Sequence, residues 1–96
     1  MDGSSEYGIF ETAGFLRIIG KLSKADARAI RAKLTKHVHP QLREQPFSGA
    51  NIRKLRGFAA DVWRYRIGRF RVFYTVEESQ RVVSIVSVDD RKNACR

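Results

Sequence analysis

The sequence is short of residues on which several protein classes depend. Its 96 residues include one cysteine, Cys95, which excludes an internal disulfide and a cysteine-rich zinc site. They contain no apolar run of about 18 residues, so no membrane-spanning helix is expected. The first residues, MDGSSEYG, are polar and acidic, unlike a signal peptide. These features predict a soluble, cytoplasmic protein with no membrane partner.

The motifs of several enzyme classes are also missing. The chain has no glycine-rich phosphate-binding loop and no G-x-S-x-G nucleophile motif. His37 and His39 lie beside a proline without an acid or cysteine nearby in the sequence, which favours a solvated helix end over a metal or catalytic site. Glu77 and Glu78 separate two predicted strands, which favours a hairpin turn over acid/base catalysis. The sequence therefore predicts no metal and no cofactor.

Positive charge is what the sequence has in excess. The formal net charge is +9 and the pI is about 10.5. Residues 1–48 carry a net +3 and residues 49–96 a net +6, so the excess lies in the C-terminal half. A basic surface binds nucleic acid by neutralising phosphates and releasing counterions. It would equally attract an acidic protein or an anionic membrane surface.

The length and the apolar patterning predict one α+β domain over residues 1–96, with residues 1–5 disordered. A short first strand is expected over residues 6–10. Thr12 and Ser23 are predicted to cap two helices, and His39-Pro40 to end the second, before a loop over residues 40–49. The apolar stripe of the first helix is Phe15, Ile18, Ile19 and Leu22, and that of the second is Ala27, Ile30, Leu34 and Val38. The two helices are expected to form an antiparallel hairpin that covers one side of a small sheet.

Three consecutive strands are predicted after residue 57, which gives the order β-α-α-β-β-β and a mainly antiparallel sheet. Because side chains alternate along a strand, the first strand places Arg64 and Arg66 on the face opposite its apolar residues, Trp63, Tyr65 and Ile67. After a turn at Gly68, Arg69 and Arg71 share one face with Phe73 and Thr75; the apolar face has Phe70, Val72, Tyr74 and Val76. The third strand runs over residues 81–88 and is ended by Asp89, Asp90, Arg91 and Lys92.

One face of this sheet is predicted to be rich in arginine. Arg64, Arg66, Arg69 and Arg71 occur within eight residues with no acid among them. A solvated sheet face would mix serine, threonine, glutamate and lysine, whereas closely packed arginines repel one another unless an anion is bound. Arginine also suits bidentate contacts to phosphate. The pattern therefore favours an anion-binding or nucleic-acid-binding face.

Three segments, KLRG, YRIGRFRVFY and VSVDDRKNA, resemble the RelE/ParE superfamily of bacterial toxins from type II toxin–antitoxin pairs. The two predicted helices before a basic sheet also match the arrangement of that family. The resemblance implies a RelE-like toxin that cleaves mRNA on the ribosome without metal and so inhibits translation. In such an endoribonuclease the 2′-hydroxyl attacks the neighbouring phosphate, and basic residues stabilise the charged transition state.

The resemblance also implies roles for individual residues. Arg64 and Arg66 match the basic pair of the first sheet strand, one of which acts as or assists the general base. Arg71 matches the arginine on the scissile phosphate, and Arg91 the one near the leaving group. Cys95 occupies the position of a tyrosine that stacks on or polarises the substrate. The RNA-binding residues implied are Lys54, Arg56, Arg69 and Lys92.

Two departures from the family pattern keep other functions open. A thiol at Cys95 cannot stack, and arginine, with its high pKa, is a poorer proton acceptor than the lysine of many members. Either the chemistry is weaker, or Tyr65 or Tyr74 replaces the tyrosine, or the chain is no nuclease. The alternatives are a ParE-like inhibitor of DNA gyrase and a plain nucleic-acid-binding module.

Both toxin readings imply an antitoxin as partner. The first is a cognate antitoxin with an acidic, partly helical segment that neutralises the arginine-rich face or its flank. The RelE-like reading adds the ribosome and mRNA. Operator DNA is expected to be bound only through the antitoxin.

Overall fold

The computed structural model describes residues 6–55 and 61–90. In chain order the elements are β1 (Gly8–Glu11), α1 (Ala13–Gly20), α2 (Lys24–Lys33), a π-helical turn (Leu34–Val38), α3 (His39–Glu44), β2 (Ile52–Leu55), β3 (Val62–Ile67), β4 (Phe70–Glu77) and β5 (Val82–Asp90). The predicted α+β class and mainly antiparallel sheet are confirmed. The prediction for residues 1–5 lies outside the described residues.

Both helices begin at the residues that the sequence indicated. The Thr12 hydroxyl accepts a hydrogen bond from the Phe15 N–H at 3.2 Å, and the Ser23 hydroxyl accepts one from the Asp26 N–H at 3.0 Å. Each bond satisfies a backbone donor that has no partner within the first helical turn. The apolar stripes are confirmed as the buried sides of the helices.

The prediction that Pro40 ends the second helix is wrong. The π-helical turn joins α2 to α3 without a break, and within it the His39 N–H donates to the Leu34 carbonyl, five residues back. This wider turn places Pro40 in the first turn of α3, where helices tolerate a missing backbone N–H. Residues 40–44 are consequently helical rather than a loop.

The five strands form one sheet in the order β1-β5-β4-β3-β2. β1 runs parallel to β5, and the other neighbours are antiparallel. One side of the sheet packs on the helices in a single apolar core, whose buried members are Tyr7, Phe15, Ile19, Ile30, Leu34, Val38, Leu42, Tyr65, Ile67, Phe70, Val72, Tyr74, Val83, Ile85 and Val88. The predicted alternation of apolar and arginine residues in β3 and β4 is confirmed by this pattern.

Two strands extend beyond the predicted sheet. Ile52–Leu55 forms β2, an edge strand paired with β3, where the sequence indicated only a segment leading into the sheet. β5 includes Asp89 and Asp90, which pair with Arg71 and Phe70 of β4, so the strand runs two residues beyond its predicted end at Val88. Both differences change the charge distribution of the sheet. None of the helices in the described ranges has the length and apolar character needed to cross a membrane.

Candidate nucleic-acid interface

Four arginines from three neighbouring strands lie on the side of the sheet opposite the helices. Arg53 of β2 pairs directly with Arg64 of β3, and Arg66 of β3 pairs with Arg71 of β4. Directly paired residues of antiparallel strands share a face, and their Cβ atoms are about 5 Å apart. We call this surface, with Arg53, Arg64, Arg66 and Arg71, the arginine face. The sheet therefore brings together three of the predicted site residues and adds Arg53.

Arg64 lies at the centre of the arginine face and has no acidic partner in the part of the chain that the structure describes. Its Nε atom is buried without a hydrogen-bond partner. Burial lowers the pKa of Arg64, and the positive charges of Arg66, Arg53 and Arg71 lower it further. Within residues 6–55 and 61–90, no carboxylate forms an ion pair with Arg53, Arg64 or Arg66. Because like charges in contact are unfavourable, these three guanidinium groups make a site that an anion would stabilise.

Arg71 has an internal counter-charge. Its guanidinium donates to the Asp89 carboxylate on the neighbouring strand at 2.9 Å, while its Nε atom is buried without a partner. Asp89 is directly opposite Arg71 in the β4–β5 register. The expectation that these arginines repel one another unless an anion is bound is thus wrong for Arg71, because Asp89, 18 residues further along the chain, supplies an internal counter-charge. An external anion must compete with Asp89 at this position.

Arg69 is held by two acids in the turn between β3 and β4. It donates to Asp26 at the start of α2 at 2.8 Å and to Asp90 at the end of β5 at 3.2 Å. Its guanidinium also lies 4.7 Å from the centre of the Phe70 ring. These contacts connect a turn, a helix and a strand, so they give Arg69 a structural role.

Lys54 is on the other face of its strand. Its register partner is Trp63, on the helix side of the sheet, and its ammonium lies 3.5 Å from Asp61 and 5.8 Å from the Trp63 ring centre. Arg53, which the sequence reading missed, takes the place on the arginine face instead. The alternation of Ile52 and Lys54 against Arg53 could have indicated this, had β2 been recognised as a strand.

The two tyrosines proposed to replace the C-terminal tyrosine are unsuited to that role. Tyr65 is 4% exposed and Tyr74 is fully buried, both on the helix side of the sheet. The Tyr74 hydroxyl donates to the Pro46 carbonyl at 2.7 Å, and burial raises the pKa of this phenol. Neither ring reaches the arginine face. Four further predicted site residues lie outside the described residues: Arg56, Arg91, Lys92 and Cys95.

The two histidines differ in their surroundings. His37 is exposed, as predicted, but His39 is half-buried with its Nε2 atom 3.4 Å from the Glu11 carboxylate, which also accepts two hydrogen bonds from Arg31. Burial lowers the pKa of His39, an effect that Glu11 opposes and that Arg43 and Arg31 reinforce. The prediction of a solvated helix end is wrong for His39, because β1 brings an acid to it. Across the described ranges, no cluster of three or more His, Cys, Asp or Glu side chains could hold a metal ion.

Residues 13–94 match one protein family, described as the ParE toxin of the type II toxin–antitoxin system parDE. No curated protein sequence matches the chain.

Solved structures of RelE toxins have a similar fold. The RelBE2 toxin–antitoxin complex of Mycobacterium tuberculosis contains a chain with 22% identity and a TM-score of 0.71, and the match covers 90% of this chain and 99% of that one. The intact RelBE complex of E. coli matches with 24% identity and a TM-score of 0.60, over 88% and 95% of the two chains. The archaeal RelE–RelB complex of Pyrococcus horikoshii matches with 26% identity and a TM-score of 0.55, over 90% and 96%.

Proposed function

The chain belongs to the ParE toxin family of type II toxin–antitoxin systems, and because its fold also resembles that of RelE toxins, we propose that its arginine face binds and cleaves mRNA on the ribosome. The observation that carries the proposal is the group of Arg53, Arg64 and Arg66, which have no acid partner in the described ranges. A phosphodiester is an anion that suits guanidinium groups at this spacing. Inhibition of translation would follow from the loss of message.

The chemistry requires no metal. The 2′-hydroxyl of one nucleotide attacks the adjacent phosphorus, the bond to the 5′-oxygen of the next nucleotide breaks, and a 2′,3′-cyclic phosphate remains. Negative charge increases on the phosphoryl oxygens in the transition state. Fixed positive groups in a partly buried site stabilise that charge more than they stabilise the substrate, which is how they accelerate the reaction.

We assign the scissile phosphate to Arg64 and Arg66. The buried, unpartnered Nε of Arg64 gives it unused hydrogen-bonding capacity, and Arg66 lies two residues along the same strand on the same face. As the family resemblance implies, one of these two arginines assists proton removal from the 2′-hydroxyl. Arg71 joins the phosphate contacts when the substrate displaces Asp89.

For other residues we propose the roles that the family resemblance implies. Arg91 stabilises the leaving group, Cys95 occupies the position of the usual tyrosine, and Arg56 and Lys92 contact the RNA backbone. Lys54 contacts RNA only at the edge of the sheet, since its ammonium faces Asp61. Arg69 contributes to the positive field rather than to a direct contact, since two acids hold it.

The test is mapping of mRNA 5′ ends in a reconstituted translation reaction. The wild-type chain is expected to produce new ends at ribosome-bound codons, and Arg64→Ala is expected to lower the cleavage rate by about a hundredfold to a thousandfold. Arg28→Ala, which removes an exposed arginine from α2, is the matched control and should cleave at the wild-type rate. Equal cleavage by the Arg64→Ala and wild-type chains would refute the assignment.

A second function has specific support from the family match itself. The matched family carries the ParE description, and a ParE-like toxin would inhibit DNA gyrase by protein–protein contact. In that case the arginine face would bind an acidic surface of gyrase rather than RNA. A gyrase supercoiling assay distinguishes the two: blocked supercoiling with intact mRNA supports inhibition of gyrase, and uninhibited supercoiling with cleaved mRNA supports the nuclease.

Either activity in the cytoplasm requires an inhibitor. The similar folds include toxins solved in complex with RelB antitoxins, which supports an antitoxin as partner. We expect its acidic segment to bind at the arginine face or its flank, and operator DNA to be bound through the antitoxin alone. Binding that weakens steeply with salt, and growth arrest when the toxin is expressed alone, are the expected results. A harmless chain that binds no product of a neighbouring gene would exclude this partner.

A further inference from the structure

A small apolar pocket opens on the same side of the sheet as the arginine face. Its volume is about 300 Å³, and the side chains that line it are Leu55, Val62, Phe73, Val86 and Ser87. They come from β2, β3, β4 and β5, so the pocket spans the middle of the sheet. All five are partly exposed. Among the described residues that line it none is charged, and Ser87 supplies the one side-chain hydroxyl.

An irregularity in β5 helps to form the pocket. The register runs from Phe73–Ser87 to Tyr74–Ile85, which leaves Val86 as an extra residue without a partner on β4. A bulge of this kind redirects side chains locally. It allows Val86 to line the pocket beside Ser87, while Ile85 and Val88 on either side remain buried in the core.

The pocket adjoins the unpaired arginines directly. Phe73 is the register partner of Arg64, and Leu55 lies two residues from Arg53 on the same strand and the same face. Cβ atoms of directly paired residues are about 5 Å apart, a distance that one ribose can span. A ligand that carries an anion and a flat apolar group one sugar apart would therefore place the flat group in the pocket and the anion at Arg64.

We propose that this pocket receives one base of single-stranded RNA, stacked on the Phe73 ring, while the phosphate of that nucleotide binds Arg64. The proposal rests on the proposed function, in which the anion bound by the arginine face is RNA. Aromatic rings next to a basic groove are the usual means of holding unpaired bases. An aliphatic protein side chain would also fit the cavity, but it brings no charge to Arg64, whereas a nucleotide supplies both groups as one unit.

The lining also predicts how selective this contact is. Reading of a base needs several hydrogen-bonding groups at its edge, and the described residues supply one side-chain group, the Ser87 hydroxyl. The stacked base is consequently held by the area of its ring. Purines should bind somewhat better than pyrimidines, and no single base should be required at this position.

The experiment compares two ligands that differ only in their bases. One is a short oligoribonucleotide with 2′-O-methyl groups, which cannot be cleaved, and the other is the abasic oligonucleotide of equal length and charge. Phe73→Leu keeps an apolar side chain but removes the ring, and Phe73→Trp keeps a ring. Thr75→Ala, on the same face two residues further along β4, is the control.

Phe73→Leu is expected to weaken binding of the base-bearing ligand by about fivefold to a hundredfold and to leave abasic binding unchanged. Phe73→Trp and Thr75→Ala should bind both ligands as the wild type does, and Arg64→Ala should weaken both. Unfolding midpoints of all four variants check that each one is folded. Base-dependent binding without mRNA cleavage would disprove the proposed nuclease while supporting the pocket.

Two results would overturn the proposal. One is a folded Phe73→Leu chain that binds the base-bearing and the abasic ligand with equally weakened affinity. The weakening would then have an electrostatic or structural cause rather than the loss of stacking. The other is wild-type RNA binding by Phe73→Leu together with weakened binding of an acidic, apolar peptide, which would make the pocket a docking site for protein.

Discussion

The arginines on β2 and β3 differ from those next to β5 in what balances their charge. Arg53, Arg64 and Arg66, on β2 and β3, have no acid partner within the described ranges. Arg69 and Arg71, next to β5, contact Asp26, Asp90 and Asp89. These arginines thus form two groups with different roles. The unpaired group is suited to bind a ligand, and the paired group stabilises the fold.

The strongest test of this division removes the arginine at the centre of the unpaired group. In Arg64→Ala, we expect RNA cleavage to fall by about a hundredfold to a thousandfold, since a preorganised charge at the phosphate is lost. The free energy of unfolding should stay the same or rise, because repulsion with Arg53 and Arg66 is relieved. Chemical denaturation alongside the cleavage assay measures both. A large loss of stability would place Arg64 among the structural arginines.

The reciprocal result is expected for Arg69→Ala. Loss of two ion pairs and the contact with Phe70 should lower the free energy of unfolding by about 1 kcal/mol, a modest amount because Arg69 is 44% exposed and solvent screens its charge. Cleavage should remain within about twofold of wild type. The measurement is denaturant unfolding of this variant beside Arg28→Ala. A cleavage defect as severe as that of Arg64→Ala would abolish the distinction.

A third test removes the acid that pairs with Arg71, so that a paired arginine becomes available to a ligand. Asp89→Asn frees the Arg71 guanidinium while it preserves the size of the side chain. RNA affinity should increase by about twofold to fivefold, the effect of losing one partly exposed competing ion pair. Glu78→Gln, in the exposed turn between β4 and β5, is the control for removal of one negative charge. If both variants raise affinity equally, the effect comes from net charge rather than from Arg71.

The smallest expected effect is on the pH dependence of stability, and it comes from His39 on the helix side of the sheet. Because the pKa of His39 is lowered from 6.5 in the folded chain, the unfolded chain takes up a proton first as pH falls. The stability that neutral His39 contributes is therefore present above pH 6.5 and is lost as the pH falls through its folded pKa. His39→Gln should flatten the dependence of the unfolding midpoint between about pH 7 and 5. An unchanged dependence would assign it to other groups.

Local features of this fold could be predicted, because they depend on neighbouring residues. Thr12 and Ser23 cap helices whose apolar spacing is complete within a few turns, and alternation in β3 separates Arg64 from Tyr65. The π-helical turn before Pro40 could not be predicted in this way, because the missing N–H of a proline usually ends a helix.

The charge balance of the site was harder to predict, since it depends on contacts between distant residues. Arg69 meets Asp26 across 43 residues, and Arg71 meets Asp89 only because β5 continues to the end of β4. The position of Arg53 required recognition of β2, a four-residue edge strand. Alternation along β3 and β4 thus predicted Arg64, Arg66 and Arg71 of the arginine face. Contacts between distant residues, set by the fold, determine which arginines pair with an acid.

The most direct measurement of that division is the salt dependence of RNA binding for single arginine variants. Each arginine that contacts a phosphate of a single strand adds about 0.7 to the slope of log K against log salt. We expect Arg53→Ala, Arg64→Ala and Arg66→Ala each to reduce the slope by about that amount, and Arg69→Ala to leave it unchanged. An equal reduction in Arg69→Ala, or none in Arg64→Ala, would contradict the division between binding and structural arginines.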